Sequence, residues 1–176
     1  MTARQAAALT AFQRLIHQPS LSHCQPTLAG TFPLGLDLKS SDLDIICHTS
    51  NPIRFADRLT RDFSRCPGFR VRLRNLAGLP TIVAKFRCYG FPVEIFAQAR
   101  PPGQQRAVRH LKVEEELLRL GGSKLRDCIY ALKLAGVKTE PAFAQCLELG
   151  GDPYLALLKL AGLSKAKLLE LLNRID

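Results

Sequence analysis

Three carboxylates in this sequence stand where an acidic side chain needs a physical explanation. Asp42 and Asp44 are separated by one residue at the head of the apolar run Ile45–Cys47. That run predicts a short buried strand, and alternate residues of a strand share a face, so both aspartates are expected to point the same way. Glu94 lies inside a second apolar run, Phe91–Phe96. Carboxylates next to a core need a cation to remain ionised, and a divalent metal supplies one.

The three acids converge on one point if their strands are neighbours in a sheet. Magnesium or manganese suits a site with oxygen ligands only. Two such ions, about 4 Å apart, can activate an attacking hydroxyl and neutralise the leaving group in a displacement at phosphorus. We therefore predict that Asp42 and Asp44 bridge two ions and that Glu94 binds the ion nearer the attacking hydroxyl. The alternatives are a strand-entry turn for the aspartates and, because Pro92 precedes it, an exposed edge strand for Glu94.

A turn of small residues precedes the acid pair and is the predicted phosphate-binding element. Gly30 allows close backbone approach, and Thr31 adds a hydroxyl. Ser41, directly before Asp42, supplies a second hydroxyl, and Lys85 lies in the strand that precedes Glu94. Lys85 is therefore the best candidate among the basic strand residues for a phosphate contact. Asp37 is a further carboxylate, which turn chemistry explains.

These segments together resemble the DNA polymerase β-type nucleotidyltransferase superfamily, and within it a small family of unknown substrate. The resemblance rests on Gly30-Thr31, the segment SDLDIIC at 41–47, the VEIF strand at 93–96, Arg109-His110, KTEPAFA at 138–144 and GDPY at 151–154. It implies that Asp42, Asp44 and Glu94 are catalytic. It also implies nucleotide or acceptor contacts for Arg109 and His110. Thr31 replaces the serine of many superfamily members and keeps the hydroxyl.

Composition and charge restrict the class of protein and its partners. The apolar fraction of 47% predicts a packed globule, and no apolar run approaches the ~18 residues of a membrane span. With no signal-peptide pattern at the N-terminus, a cytoplasmic protein without membrane contact is expected. The net charge of +10 favours polyanionic partners such as nucleoside triphosphates and nucleic acid. The six cysteines lack a C-x-x-C pair, which argues against zinc, and are interpreted as reduced thiols.

The periodicity predicts an α+β fold with a nucleotidyltransferase-like core over residues 1–98 and a helical region over 99–176 packed on it. About four strands form the predicted mixed sheet, and helices flank it. These strands are expected at 42–47, 69–74, 81–88 and 91–97, with helices at 3–17 and 52–65. Pro101-Pro102-Gly103 marks the boundary. Helices are expected at 105–120, 123–135, 139–147 and from residues 153 and 165 onward.

Several charged residues have a structural alternative to a functional role. Arg70, Arg72, Arg74 and Arg87 alternate on strand faces, which is typical of a nucleic-acid surface or of a solvated face that deters edge pairing. His110 and Glu114 are four residues apart, which fits a metal couple or, more commonly, a surface ion pair. The segment Glu114–Glu116 is interpreted as a solvated face.

The function predicted from these residues is metal-dependent transfer of a nucleoside monophosphate from a nucleoside triphosphate to a hydroxyl. RNA, for example tRNA, is the first candidate acceptor and a protein the second. The alternatives are a non-catalytic nucleotide- or nucleic-acid-binding module and an interaction protein of the toxin–antitoxin type. The presence of all three acids argues against a binding-only protein, which needs no metal carboxylates.

Overall fold

The computed structural model describes residues 1–76 and 78–173. The chain divides into two compact units, Met1–Val108 and a second that begins at Arg109. None of the helices in the described residues is both long enough and apolar enough to cross a lipid bilayer.

The first unit is built on a mixed sheet of five strands in its described part. In chain order its elements are α1 (Ala3–Ile16), β1 (Thr27–Ala29), α2 (Thr31–Leu34), β2 (Leu43–His48), α3 (Pro52–Phe63), β3 (Arg70–Leu76), β4 (Leu79–Cys88) and β5 (Phe91–Gln98), followed by a 3₁₀ helix (Pro102–Gln104). The strand order is β1-β2-β5-β4-β3, with β2 and β5 parallel and the other pairs antiparallel. The predicted α+β fold is confirmed, and the strand that the sequence did not predict is the three-residue β1.

Local signals in the sequence explain where these elements begin and turn. The Thr2 hydroxyl and the Gln5 side chain form a reciprocal capping box at the start of α1. Asn51 caps α3, with Pro52 in its first turn. Tyr89 and Gly90 both have positive φ angles, as a two-residue hairpin loop requires, and they join β4 to β5.

One face of the sheet carries the hydrophobic core of the first unit. Alternate residues of β2, β4 and β5 contribute to it and are almost fully buried against apolar residues of α1 and α3. The members from the three strands are Leu43, Ile45, Cys47, Ile82, Ala84, Phe86, Phe91, Val93, Ile95 and Ala97. Since side chains alternate along a strand, Asp44, Glu94 and Lys85 must project from the opposite face.

The second unit contains helices only, within the described residues. The helical segment α4 (Arg106–Leu134) begins just before it and is interrupted at Gly122, whose φ of 60° and ψ of −147° are not helical. The two helices expected around that point therefore lie on either side of Gly122. They are followed by α5 (Thr139–Cys146), α6 (Pro153–Leu160) and α7 (Lys165–Leu172).

The cysteine chemistry corrects the prediction that all six thiols are reduced. Cys128 of α4 and Cys146 of α5 form a disulfide, with 6.2 Å between their Cα atoms. The two residues are 18 positions apart, so their approach depends on how the helices fold back on each other. Cys24, Cys47, Cys66 and Cys88 are free, and the first two of these are buried, as expected for Cys47.

Candidate active site

The acid cluster comprises Asp42, Asp44 and Glu94. One ligand oxygen from each carboxylate lies within 4.8 Å of the other two. The parallel pairing of β2 with β5 explains this, because Asp44 and Glu94 are register partners on neighbouring strands. Within residues 1–76 and 78–173, no other group of His, Cys, Asp and Glu has the spacing of a metal site. The arrangement fits a divalent cation, since three partly buried carboxylates at this distance repel one another without one.

Glu94 lies in the middle of the sheet, which removes the edge-strand alternative. Its strand, β5, is paired on both sides, by β2 and by β4. Lys85 of β4 is its register partner on the other side, and Lys85 Nζ lies 2.7 Å from Glu94 Oε1. The glutamate therefore lies between a like charge and an opposite one. In the absence of a metal, Lys85 offsets part of the repulsion within the acid cluster.

The backbone of Gly30 lies directly against Asp44. Gly30 has a φ of 71° and a ψ of −148°, a conformation that L-residues rarely adopt, and it precedes the single turn of α2. A Cβ atom at this position would overlap Asp44 Oδ2 and lie 3.1 Å from Asp44 Cγ. Only glycine therefore allows the turn and the carboxylate to come this close.

The hydroxyls of Thr31 and Ser41 join the Gly30 turn to the segment that carries the acids. Thr31 Oγ1 donates to Ser41 Oγ at 3.2 Å, and Ser41 Oγ accepts from the Leu38 N–H at 2.9 Å. Both predicted nucleotide-binding hydroxyls thus lie beside the acid cluster. Their contact with a phosphate stays a prediction.

Arg4 is a residue of this region that sequence analysis missed. It reaches from the first turn of α1 and donates to the Lys39 carbonyl at 2.9 Å, while its Nε lies 3.6 Å from Asp37 Oδ2. Gln5 Nε2 also donates to Asp37, at 2.9 Å. Asp37 therefore anchors the segment before the acids to α1. A contact across 33 positions leaves no local signal in the sequence.

A cavity of about 330 Å³ lies on the face of the sheet that carries the acid cluster. Ile46 and Phe96 line it, two residues beyond Asp44 and Glu94 along their strands. The side chains of Gln98 and Thr81 also line it, and Gln98 Nε2 donates a hydrogen bond to Thr81 Oγ1 at 2.8 Å. It offers an apolar floor with a few polar groups, which is typical of a small-molecule pocket.

Arg109 and His110, the remaining predicted site residues, belong to the second unit. His110 is only 5% exposed, and its Nε2 lies 2.9 Å from the Tyr154 carbonyl oxygen. Its Nδ1 lies 3.9 Å from Glu140 Oε1. Arg109 lines a groove of about 350 Å³ in the same unit. Their nucleotide-binding role stays a prediction.

Glu114 corrects the sequence-based interpretation of its segment. It was expected on a solvated face, yet it is 4% exposed and its Oε1 has no hydrogen-bond partner among the described residues. Burial, and next the charge of Glu140, raise the pKa of Glu114 to about 8, although Lys133 acts in the opposite direction. His110 and Glu114 therefore do not form a surface ion pair, since both are buried.

The five-stranded sheet with its flanking helices has a nucleotidyltransferase-like fold. It is similar to a GLD-2/RNP-8 complex structure with a TM-score of 0.60 and 13% identity, over 88% of this chain and 63% of the other. It is also similar to the Cid1 poly(U) polymerase bound to MgATP, with a TM-score of 0.53 and 16% identity over 89% of this chain and 49% of the Cid1 chain. For Cid1 in complex with its short product ApU, the TM-score is 0.56 and the identity is 15%, over 89% of this chain and 48% of the Cid1 chain.

The chain belongs to the family described as a domain of unknown function, DUF4269, whose profile matches residues 11–160. A comparison with curated proteins finds no match. The chain spans about half the length of the Cid1 chains that it resembles. At these identities the likeness concerns the fold.

Replacing Gly30 by Ala is expected to disrupt the acid cluster. The new Cβ collides with the Asp44 carboxylate and the positive φ strains the backbone, so the free energy of unfolding should fall by about 1–3 kcal/mol. Any rise in melting temperature caused by Mg²⁺ should be lost as well. Chemical denaturation and thermal melting with and without Mg²⁺ measure both effects.

Gly68→Ala is the matched control, because Gly68 has a φ of +70° but nothing within 4 Å of an added Cβ. It should show the backbone strain and keep the response to Mg²⁺. A Gly30→Ala variant with the full response to Mg²⁺ would contradict the role given to this turn.

Proposed function

We propose that this protein is a metal-dependent nucleotidyltransferase. A hydroxyl of an acceptor releases its proton to solvent and attacks the α-phosphorus of a nucleoside triphosphate. A new phosphodiester-type bond forms, the bond from the α-phosphorus to the bridging oxygen of the β-phosphate breaks, and pyrophosphate leaves. The observation that carries the proposal is the convergence of Asp42, Asp44 and Glu94 within 4.8 Å. The fold of the Cid1 and GLD-2 structures supports it, and structures of Cid1 contain MgATP or a UTP analogue.

The carboxylates of Asp42, Asp44 and Glu94 would hold two Mg²⁺ or Mn²⁺ ions. When bound, such ions neutralise phosphate charge and lower the pKa of a coordinated hydroxyl. The protein's own contribution is to fix the three carboxylates through the β2–β5 register and to place the Gly30 backbone against Asp44. Fixed charges in a partly buried site need no reorganisation during the reaction, which is why they are effective.

Lys85 and the Gly30 turn are the candidates for contacts to the triphosphate. Lys85 Nζ is paired with Glu94 and its side chain is 43% exposed, so it is accessible to an incoming phosphate. The cavity beyond Asp44 and Glu94 is apolar enough to receive a nucleobase and lies within the same unit. Nucleic acid is the first candidate acceptor because the chain carries a net charge of +10.

The test is incubation of the protein with α-labelled ATP, CTP, GTP or UTP, Mg²⁺ or Mn²⁺, and total RNA or cell protein. We expect label to enter a macromolecule with at least one nucleotide, and EDTA to abolish the transfer. Parallel reactions with γ-labelled nucleotides should transfer nothing, because the γ-phosphate leaves in pyrophosphate. Nuclease and protease digestion of the labelled product identifies the acceptor class.

Absence of labelling with all four nucleotides and both metals contradicts the enzymatic proposal. A thermal shift with nucleotide and metal then decides what remains, because a ligand at 100 times its Kd stabilises the folded state by about 2.7 kcal/mol. A shift without transfer would indicate a nucleotide-binding module.

A further inference from the structure

The register of the sheet places a row of arginines on the same face as the acid cluster. Arg70 of β3 is the partner of Lys85, which is the partner of Glu94, which in turn is the partner of Asp44. The row Asp44–Glu94–Lys85–Arg70 thus crosses four neighbouring strands. Register partners project from the same face, and strands are about 4.8 Å apart, so Arg70 begins about 10 Å from Glu94.

Arg72 and Arg74 extend this row along β3. Alternate residues of a strand share a face, so both project with Arg70, at intervals of about 7 Å. Together with Lys85 and Val83 the three arginines line one groove, of about 310 Å³. We call Arg70, Arg72 and Arg74 the β3 arginine strip. It runs in the same direction as β2 and β5, away from the acid cluster.

The strip is exposed and lacks acidic partners. All three arginines are exposed on an edge strand of the sheet. No carboxylate in the described parts of the chain forms an ion pair with any of them. Three neighbouring like charges repel one another, and an anion with regularly spaced charges relieves that repulsion.

We infer that the β3 arginine strip binds the sugar-phosphate backbone of a nucleic-acid acceptor whose terminal hydroxyl lies at the acid cluster. This inference rests on the proposed function and specifies its acceptor. Guanidinium groups bind phosphates without reading bases. The strip therefore holds the strand in position and leaves its sequence unread. An edge strand can also carry basic residues merely to prevent pairing with other chains, and the experiment separates the two roles.

The test measures binding of a fluorescein-labelled, mixed-sequence, 15-nucleotide single-stranded RNA by fluorescence anisotropy at several salt concentrations, without metal or nucleotide. For single strands the slope of log K against log salt is about −0.7 for each phosphate neutralised. The Arg70→Gln/Arg72→Gln/Arg74→Gln variant should therefore lower the magnitude of the slope by about 2, and weaken binding at least tenfold at low salt.

The matched control is Arg54→Gln/Arg61→Gln/Arg65→Gln. It removes the same charge from exposed arginines of α3 and the turn after it, and α3 covers the opposite face of the sheet. It should reduce the slope by well under half as much. Equal effects of the two triple variants would overturn the inference, because net charge alone would then explain binding.

Three other outcomes also overturn the inference. These are absence of RNA binding by the wild-type protein, binding that poly-glutamate displaces more readily than unlabelled RNA does, and self-association of the strip variant with RNA binding unchanged. Failure of the proposed function is distinguishable, because the assay requires no turnover. If no labelling occurs but the strip variant loses RNA binding, RNA binding by the strip is supported and nucleotidyl transfer is contradicted.

Discussion

Replacing Asp44 by Asn is expected to lower the rate of nucleotidyl transfer by on the order of 10³-fold, the size of effect seen when a preorganised electrostatic group is removed. Asp44 belongs to the acid cluster, with Glu94 as its register partner and Gly30 against its carboxylate. Asn keeps the shape of the side chain but removes the charge that binds a cation. Initial rates with saturating nucleotide, acceptor and Mg²⁺ measure the effect.

The same variant should be no less stable than the wild type when metal is absent. Three carboxylates lie within 4.8 Å of one another, and removing one charge relieves their repulsion. The melting temperature in EDTA is therefore expected to stay equal or rise, while the increase caused by Mg²⁺ disappears. A site that trades stability for function behaves in this way.

Asp57→Asn serves as the control, because Asp57 is an exposed aspartate of α3. It should retain full transfer activity and the full response to Mg²⁺. If Asp44→Asn instead lowers the melting temperature in EDTA and keeps the activity, Asp44 is a structural residue of the strand entry and the proposed site is wrong.

The stability of the protein is expected to decrease between pH 5 and pH 8 because of Glu114. Its carboxyl is buried without a hydrogen bond to Oε1, and its pKa is raised from 4.5 to about 8. The folded state then retains a proton that the unfolded chain releases. Stability from this group is fully present below pH 4.5 and falls as the pH rises to about 8. At ~1.4 kcal/mol per pH unit, the upper limit of the loss is about 5 kcal/mol.

Glu114→Gln should remove most of this dependence on pH. The amide stays neutral, so at pH 8 the variant should unfold at a higher temperature or denaturant concentration than the wild type. The charged groups that act on the pKa of Glu114 are Glu140, Lys133 and Glu115, and their own titration remains in the variant. Denaturant unfolding from pH 5 to 9 measures the effect.

Glu115→Gln is the matched control for this prediction. Glu115 is the next residue in α4 and is exposed. Its charge is the smallest of the contributions that raise the pKa of Glu114, so its removal should change the wild-type pH profile far less than Glu114→Gln does. Identical pH profiles of Glu114→Gln and the wild type would show that the Glu114 carboxyl is ionised in the folded protein.

The sequence by itself determined the elements of the acid site, because their signals are local. The pattern at Asp42–Cys47 and the pattern at Phe91–Phe96 each predicted a strand with its acids on one face, and both strands are present. The hairpin between β4 and β5 and the caps of α1 and α3 also depend on neighbours within a few residues. Such signals follow from the periodicity of the backbone.

Only the tertiary structure decided what depends on distant contacts. β1 is three residues long, too short for a periodic pattern, and forms because β2 offers it a partner. Two contacts require segments that are distant in the chain to meet in space: the disulfide between Cys128 and Cys146, and the ion pair between Arg4 and Asp37. The sequence could not reveal these contacts, because a contact between distant segments leaves no pattern among neighbouring residues.

Burial was the other property that the sequence did not reveal. Glu114 lies in the run Glu114–Glu116, where hydrophilic composition predicts solvent exposure, but its side chain is buried. The sequence also did not reveal which face of the sheet the β3 arginines occupy. Alternation predicted that they share one side of the strand, and the sheet register showed that this side is the one that carries Asp44 and Glu94. Local sequence sets which side chains point together, whereas long-range pairing of strands and helices sets what they face.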